Sequence, residues 1–137
     1  MKIVLDASAA VKWFVREEES DRMLRLRDLI VRGELLALSP DFMLVELANV
    51  LRFARGLSKV DIVNAVRAVV AVGVQLRGFL ELVDRAAGIA LERGLTIYDS
   101  AYAALAELEG AKLVTYDREL LGKLDYAVTA GALLPPA

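Results

Sequence analysis

Five short apolar runs, each of strand length, alternate with longer stretches whose apolar residues recur at helical spacing. No other feature of this sequence narrows its fold so far. The runs cover 2–5, 35–38, 74–76, 112–115 and 126–129. Helical spacing covers 7–15, 20–32, 40–55, 59–72, 80–93, 99–109 and 118–123. Gly33, Gly56, Gly94 and Gly110 stand where these helices should stop. Ser39-Pro40-Asp41 reads as an N-cap, a first-position proline and a first-turn acid, and Ser58 as the cap of the following helix. Strands separated by helices pair in parallel through crossovers rather than hairpins. The expected fold is therefore α/β: three layers, with a mostly parallel central sheet covered on both faces. A chain of 137 residues suffices for one core. We expect a single domain over 1–137, with a tail from about 130 to 137 that is extended or disordered.

What is missing from the composition limits the chemistry. There is no cysteine and no histidine. Thiolate zinc sites, cysteine nucleophiles, Ser-His-Asp triads and two-histidine ribonuclease sites are excluded. Carboxylates, hydroxyls, Lys, Arg and Tyr remain. No apolar run approaches the roughly 18 residues that would cross a bilayer. Asp6 interrupts the N-terminal run too early for a signal peptide, so a cytoplasmic protein with no membrane partner is expected. Hydrophobic residues make up 57% of the chain, an excess that points to surface covered by a partner, most simply a second copy. The net charge of −2 argues mildly against a general nucleic-acid-binding surface.

Four acids sit where an acid is awkward for folding. Asp6 ends the first apolar run and Asp117 follows the fourth. Glu46 shares a helix face with Phe42, Asn49, Val50 and Phe53, and Asp99 opens an otherwise apolar helix. Each has a plainer reading: Asp6 and Asp117 as local caps or turns, Asp99 as a first-turn acid that suits its helix dipole. Taken together they have one address. Sites in open α/β sheets form beyond the carboxyl ends of the strands, where strand order reverses. Asp6 and Asp117 would project from that edge, Asp99 can face it, and Glu46 comes in from a neighbouring helix. Four converging carboxylates describe a site for a hard divalent cation, because buried charge of one sign needs compensation. Asp84 is read as a surface acid, and Trp13, Phe14, Tyr98 and Tyr102 as core or interface side chains.

The segments carrying these acids resemble those of PIN domains, and more narrowly VapC-type toxins of prokaryotic toxin–antitoxin modules. The carriers are Ile3-Val4-Leu5-Asp6-Ala7-Ser8, Glu46-Leu47-Ala48-Asn49-Val50-Leu51, Leu95-Thr96-Ile97-Tyr98-Asp99-Ser100-Ala101-Tyr102 and Leu113-Val114-Thr115-Tyr116-Asp117-Arg118-Glu119-Leu120. The resemblance covers nearly the whole chain. It implies a parallel-sheet α/β/α fold, Mg²⁺- or Mn²⁺-dependent cleavage of RNA, a homodimer, and a small VapB-type antitoxin as partner. The family's acids fall on Asp6, Glu46, Asp99 and Asp117, and its hydroxyl positions on Ser8 and Thr115.

On this reading the four acids are both metal ligands and catalytic groups. Mg²⁺ takes one or two direct carboxylates and keeps several waters, so some of the four would act through water. Ser8, Thr115 and Asn49 would hold carboxylate rotamers by hydrogen bonds. Arg16, Arg52, Arg55 and Arg118 are the basic residues nearest in sequence and are candidate phosphate contacts. With no histidine, activated water is the expected nucleophile. The alternative function is a non-catalytic binding or regulatory module of the same fold. A phosphoaspartyl receiver fits poorly, since Asp6 is followed by Ala7 and has no acidic neighbour.

Overall fold

The computed structural model describes residues 1–135. Pro136 and Ala137 of the expected tail lie outside the described residues. Strands β1 (Lys2–Leu5), β2 (Leu36–Pro40), β3 (Gln75–Arg77), β4 (Lys112–Val114) and β5 (Ala127–Val128) form one sheet in the order β3-β2-β1-β4-β5. Every neighbouring pair is parallel. Helices α1 (Ala7–Ala10) and α2 (Ser20–Val31) join β1 to β2, and α3 (Met43–Arg52) and α4 (Lys59–Val72) join β2 to β3. The connection from β3 to β4 holds α5 (Val83–Arg93) and α6 (Ile97–Glu109). Helix α7 (Arg118–Lys123) joins β4 to β5, and α8 (Ala130–Leu133) follows.

The central strand explains the layering. Ile3, Val4 and Leu5 of β1 are fully buried, as a parallel strand covered on both faces must be. Helix α6 lies against β1, β2 and β4, with α5 packed upon it. Ala101, Ala103, Ala104 and Ala106 are all buried, and their small size lets α6 approach both the sheet and α5 closely. Helix α3 packs on α1 and on α4. Right-handed crossovers put these helices on the opposite face from α5 and α6, because β1 to β3 step one way across the sheet and β3 to β4 steps back.

Local chemistry sets most boundaries where the sequence suggests. Ser58 accepts a hydrogen bond from the Asp61 amide, and Asp61 reaches back to the Ser58 amide, so α4 begins at a complete capping box. Several boundaries differ from expectation. Ser39 and Pro40 do not start a helix; they belong to β2, where they pair with Leu76 and Arg77, and the Ser39 hydroxyl donates to the Leu5 carbonyl at 2.7 Å. Sheet pairing outweighs the capping preference, and α3 starts at Met43 and ends at Arg52 instead of 55. The helix expected over 7–15 is α1 followed by a single 3₁₀ turn, Val11–Trp13. The one expected over 80–93 is likewise split, into a 3₁₀ turn, Phe79–Glu81, and α5. The tail is not extended from 130: Ala130–Leu133 is helical and Ala130 is fully buried. Its anchors are remote in sequence, the Ala130 amide donating to Tyr116 Oη at 3.1 Å and the Gly131 amide to Glu19 Oε1 at 3.1 Å.

Candidate active site

Between β1 and β4 the direction of strand addition reverses, which opens a crevice at their carboxyl ends. Asp6 leaves β1 there and Thr115-Tyr116-Asp117 leaves β4. Asp6 is only 5% exposed. Its Oδ1 accepts the Ser8 hydroxyl at 2.6 Å and the Ala9 amide at 3.0 Å, and its Oδ2 accepts the Thr115 hydroxyl. Ser8 Oγ in turn accepts the Tyr116 amide at 2.9 Å, and Thr115 Oγ1 accepts the Asp117 amide at 3.0 Å. The two hydroxyls thus lace the β1 and β4 loops together around one carboxylate. Asp117 Oδ1 accepts the Glu119 and Leu120 amides at 2.9 and 3.1 Å. Asp6 caps α1 and Asp117 caps α7, so the plain capping readings of both acids are true of the same side chains that face the crevice. A carboxylate oxygen has two lone pairs. Capping leaves Asp6 one on Oδ2, and leaves Asp117 Oδ2 without a bond among the described residues.

Asp99 stands in the first turn of α6, whose cap is Thr96, accepting the Asp99 amide at 3.1 Å. One turn further, Tyr102 is 2% exposed, and its hydroxyl donates to Glu46 Oε1 at 2.5 Å. This bond joins α6 to α3 across the crevice and holds the Glu46 side chain. Tyr102 was expected only as core or interface. Its three-residue spacing from Asp99 was the available signal, but nothing in the chain links position 102 to position 46. Two expectations about α3 need correction. The apolar face around Glu46 does not bury it, since Val50 and Phe53 are 46% and 75% exposed. Asn49 is exposed as well, and among the described residues its side chain makes no hydrogen bond to any of the four acids.

The charges feel one another. Burial pushes the Asp6 carboxyl up to about 6 against the pull of its Ser8, Thr115 and Ala9 donors, and the Asp117 charge adds to the rise. Asp99 is also raised, by burial first and then by repulsion from Asp117 and Glu46. The Tyr102 hydroxyl is held far above its ordinary value by burial and by its bond to Glu46, with Asp6 and Asp99 contributing. Four acids drawn from separate connections therefore share one field, and a cation there would relieve it. Among the described residues, however, no group of three or more acids is arranged to hold a metal ion directly. A cation that keeps most of its waters and takes one or two direct carboxylates fits this set; an all-protein cage does not.

The basic residues are less well placed than expected. Arg16 is committed to Asp21 through both guanidinium nitrogens, at 2.8 and 3.2 Å. Arg52 lies over the Phe53 ring, 5.1 Å from its centroid, at the far end of α3. Arg118 is exposed in the first turn of α7, beside Asp117, and Arg55 is exposed beyond α3. Asp84 is an exposed residue of α5. A cation not singled out from sequence is Arg77, which ends β3 at the same edge of the sheet. Among the described residues its guanidinium bonds only the neutral Leu76 and Gln75 oxygens, both at 3.4 Å.

Residues 3–125 match the PIN domain family. A Pyrobaculum aerophilum protein named Ribonuclease VapC3 is 36% identical over 134 residues, covering 94% of this chain and 99% of its own length. A crystal structure of a protein from Pyrobaculum aerophilum superposes with a TM-score of 0.69 at 30% identity, over 97% of this chain and 86% of that one. A toxin–antitoxin complex from Klebsiella pneumoniae superposes with a TM-score of 0.67 at 14% identity, over 93% and 97% of the two chains, which is a likeness of fold.

Proposed function

This chain belongs to the PIN-domain family, and from that premise we propose that it is a divalent-metal-dependent endoribonuclease, the toxin of a type II toxin–antitoxin pair. The observation that carries the reading is the gathering of the acids in one crevice: Asp99 is raised by burial and then by Asp117 and Glu46, and Asp6 by burial with a smaller addition from Asp117, in a chain with no histidine. The curated relative supports the reaction class, since its name is that of a ribonuclease. The complex of matching fold supports an antitoxin as partner.

Asp6, Asp99, Glu46 and Asp117 would hold Mg²⁺ or Mn²⁺, some through water. Bound there, the ion supplies charge neutralisation for the phosphate and acidifies water at neutral pH. The chain's own work is positioning and proton handling. Ser8 and Thr115 fix the Asp6 carboxylate so that its remaining lone pair faces the crevice. Tyr102 holds Glu46 by Oε1 and leaves Oε2 to orient or accept a proton from the attacking water. Arg118 is the candidate phosphate contact the geometry favours, ahead of Arg16 and Arg52. The partners proposed are RNA, a small antitoxin and a second copy of the chain.

The alternative is a binding module without turnover, and one observation favours it: the acids are not arranged to hold an ion by three direct bonds. Incubating the protein with RNA in Mg²⁺ or Mn²⁺, with and without EDTA, separates the two readings. We expect cleavage that EDTA abolishes, and a loss of about 100-fold or more in Asp6→Asn and Asp99→Asn. No EDTA-sensitive cleavage, or cleavage unchanged by both substitutions and hence due to a contaminant, would favour the module.

A further inference from the structure

Among the described residues, Lys12 is the only basic side chain that is buried, at 8% exposure. A lysine ordinarily packs its stem and keeps its ammonium in water. The oxygens that Lys12 meets do not require its burial. Its ammonium donates to the Glu18 carbonyl at 2.8 Å and stands 3.5 Å from Glu17 Oε1, and both residues are exposed. A lysine could reach either from solvent. What burial adds is a third contact: the ammonium lies over the face of the Tyr116 ring, 4.3 Å from its centroid. Attraction between a cation and a ring face is strongest where water is shut out.

Both sides of that contact are tied to the acids. Lys12 lies in the 3₁₀ turn that continues α1, whose N-cap is Asp6. The next residue, Trp13, is buried, and its Nε1 donates to the Met23 carbonyl of α2 at 2.7 Å, which anchors the turn. Tyr116 stands between Thr115, which donates to Asp6, and Asp117. Its amide donates to Ser8 Oγ at 2.9 Å and its hydroxyl to Glu19 Oε1 at 2.6 Å. The Ser8 and Thr115 hydroxyls join the β1 and β4 loops at one place, around Asp6. A loop held only there can pivot. Glu19 holds the tip of the Tyr116 ring and Lys12 its face, and together they fix the plane of the ring.

We propose that Lys12 is a positioning residue of the candidate metal centre: its buried ammonium, held against the Tyr116 ring, fixes the β4 loop so that Asp117 meets Asp6 across the crevice. The proposal rests on the metal-dependent ribonuclease reading and adds to it a residue that touches neither ion nor RNA. An ion that takes only one or two direct carboxylates has few protein bonds. Displacing the loop that carries one of those acids removes a large share of them.

The test is Lys12→Met, which keeps an unbranched apolar stem and leaves the Glu18 carbonyl to water, so the variant should melt near the wild-type temperature without metal. In metal-free protein, the Tyr116 and Asp117 amides should exchange hydrogen about fivefold faster. Mn²⁺ titrated into protein without RNA should bind about fivefold more weakly. In Mg²⁺, kcat should fall while KM for RNA stays within about twofold. Tyr116→Leu should produce the same losses, and Lys12→Met added to it should cause no further loss. In a protein that binds Mn²⁺, exchange or affinity left unchanged by Lys12→Met overturns the proposal. So does an equal further loss in the Tyr116→Leu background, which would confine Lys12 to fastening Glu17 and Glu18. A raised KM with reduced salt dependence would make Lys12 a phosphate contact, and overturns it too. Faster exchange in a protein that binds no Mn²⁺ and cleaves no RNA would count against the nuclease reading alone. Metal-dependent cleavage indifferent to Lys12→Met would count against the positioning role alone.

Discussion

Asp6 shows how one residue can serve two ends at opposite cost. Its carboxyl titrates near 6 because burial opposes its charge more strongly than three donors favour it. A pKa above the unfolded value of 3.8 means the native state binds the proton more tightly. The sign follows: Asp6 leaves the metal-free protein more stable at low pH, and that advantage is lost as pH rises through about 6. The size is on the order of 2 kcal/mol between pH 4 and pH 7.5. Glu19 has the opposite sign. Burial would raise it, but the Tyr116 hydroxyl, the Gly131 amide and Arg22 outweigh burial and hold it low. The informative comparison is therefore between wild type and Asp6→Asn. Thermal melts of metal-free protein should show the variant lacking a stabilisation on acidification that wild type has, and Mn²⁺ at pH 7.5 should raise the wild-type melting temperature more. Equal pH profiles would show that the donors have already offset burial. The position of Asp6 was legible because a strand has a defined end. Ser8 and Thr115 were read from the sequence as hydroxyls that hold carboxylates; that Thr115 would reach Asp6 was not legible, since it is brought there by sheet pairing that no local pattern records.

At the scale of elements, caps and glycine stops were legible wherever the decisive contact is local, as at Ser58 and Gly94. Ser39-Pro40 misled because a strand partner from the next crossover claimed it. The short α8 was invisible for the same reason: four residues cannot form a stable helix alone, and this one is held by remote groups. Glu19 is chief among them. At φ 66° it occupies the left-handed region without being glycine. There its Oε1 accepts Tyr116 Oη at 2.6 Å and the Gly131 amide, while Oε2 accepts Arg22 at 3.1 Å. One carboxylate thus fastens α2, α8 and the β4 loop that bears Asp117. Glu19→Ala keeps the strained backbone and loses these bonds, a cost of about 2–3 kcal/mol. Urea unfolding should register that loss, and hydrogen exchange at the Gly131 amide should accelerate more than exchange in β1. Uniform acceleration across both would mean α8 has no separate fastening.

For the whole molecule, the apolar excess divides into two parts. Most of it is the core that two covered sheet faces demand. The remainder lies on the surface, and part of it is gathered on α3 and at the start of α4: Val45 is 70% exposed, Phe53 75% and Val60 64%. Phe53, the C-cap of α3, stands about two helical turns beyond residue 45, hence on one ridge, and α4 packs beside α3. A two-fold homodimer uses the same patch on both subunits, and one exposed apolar ridge can serve as that patch. We therefore expect the protein to sediment at twice its 14.9 kDa chain mass. The double substitution Val45→Asp and Phe53→Asp should return it to a single chain. Because both side chains are already in water, the substitutions should alter monomer stability by only about 0.5 kcal/mol, so loss of the dimer would not reflect unfolding. Circular dichroism of the variant checks that point directly. A wild-type protein that remains a single chain at tens of micromolar would leave this ridge to another partner, and the antitoxin would then be the first to test by co-sedimentation.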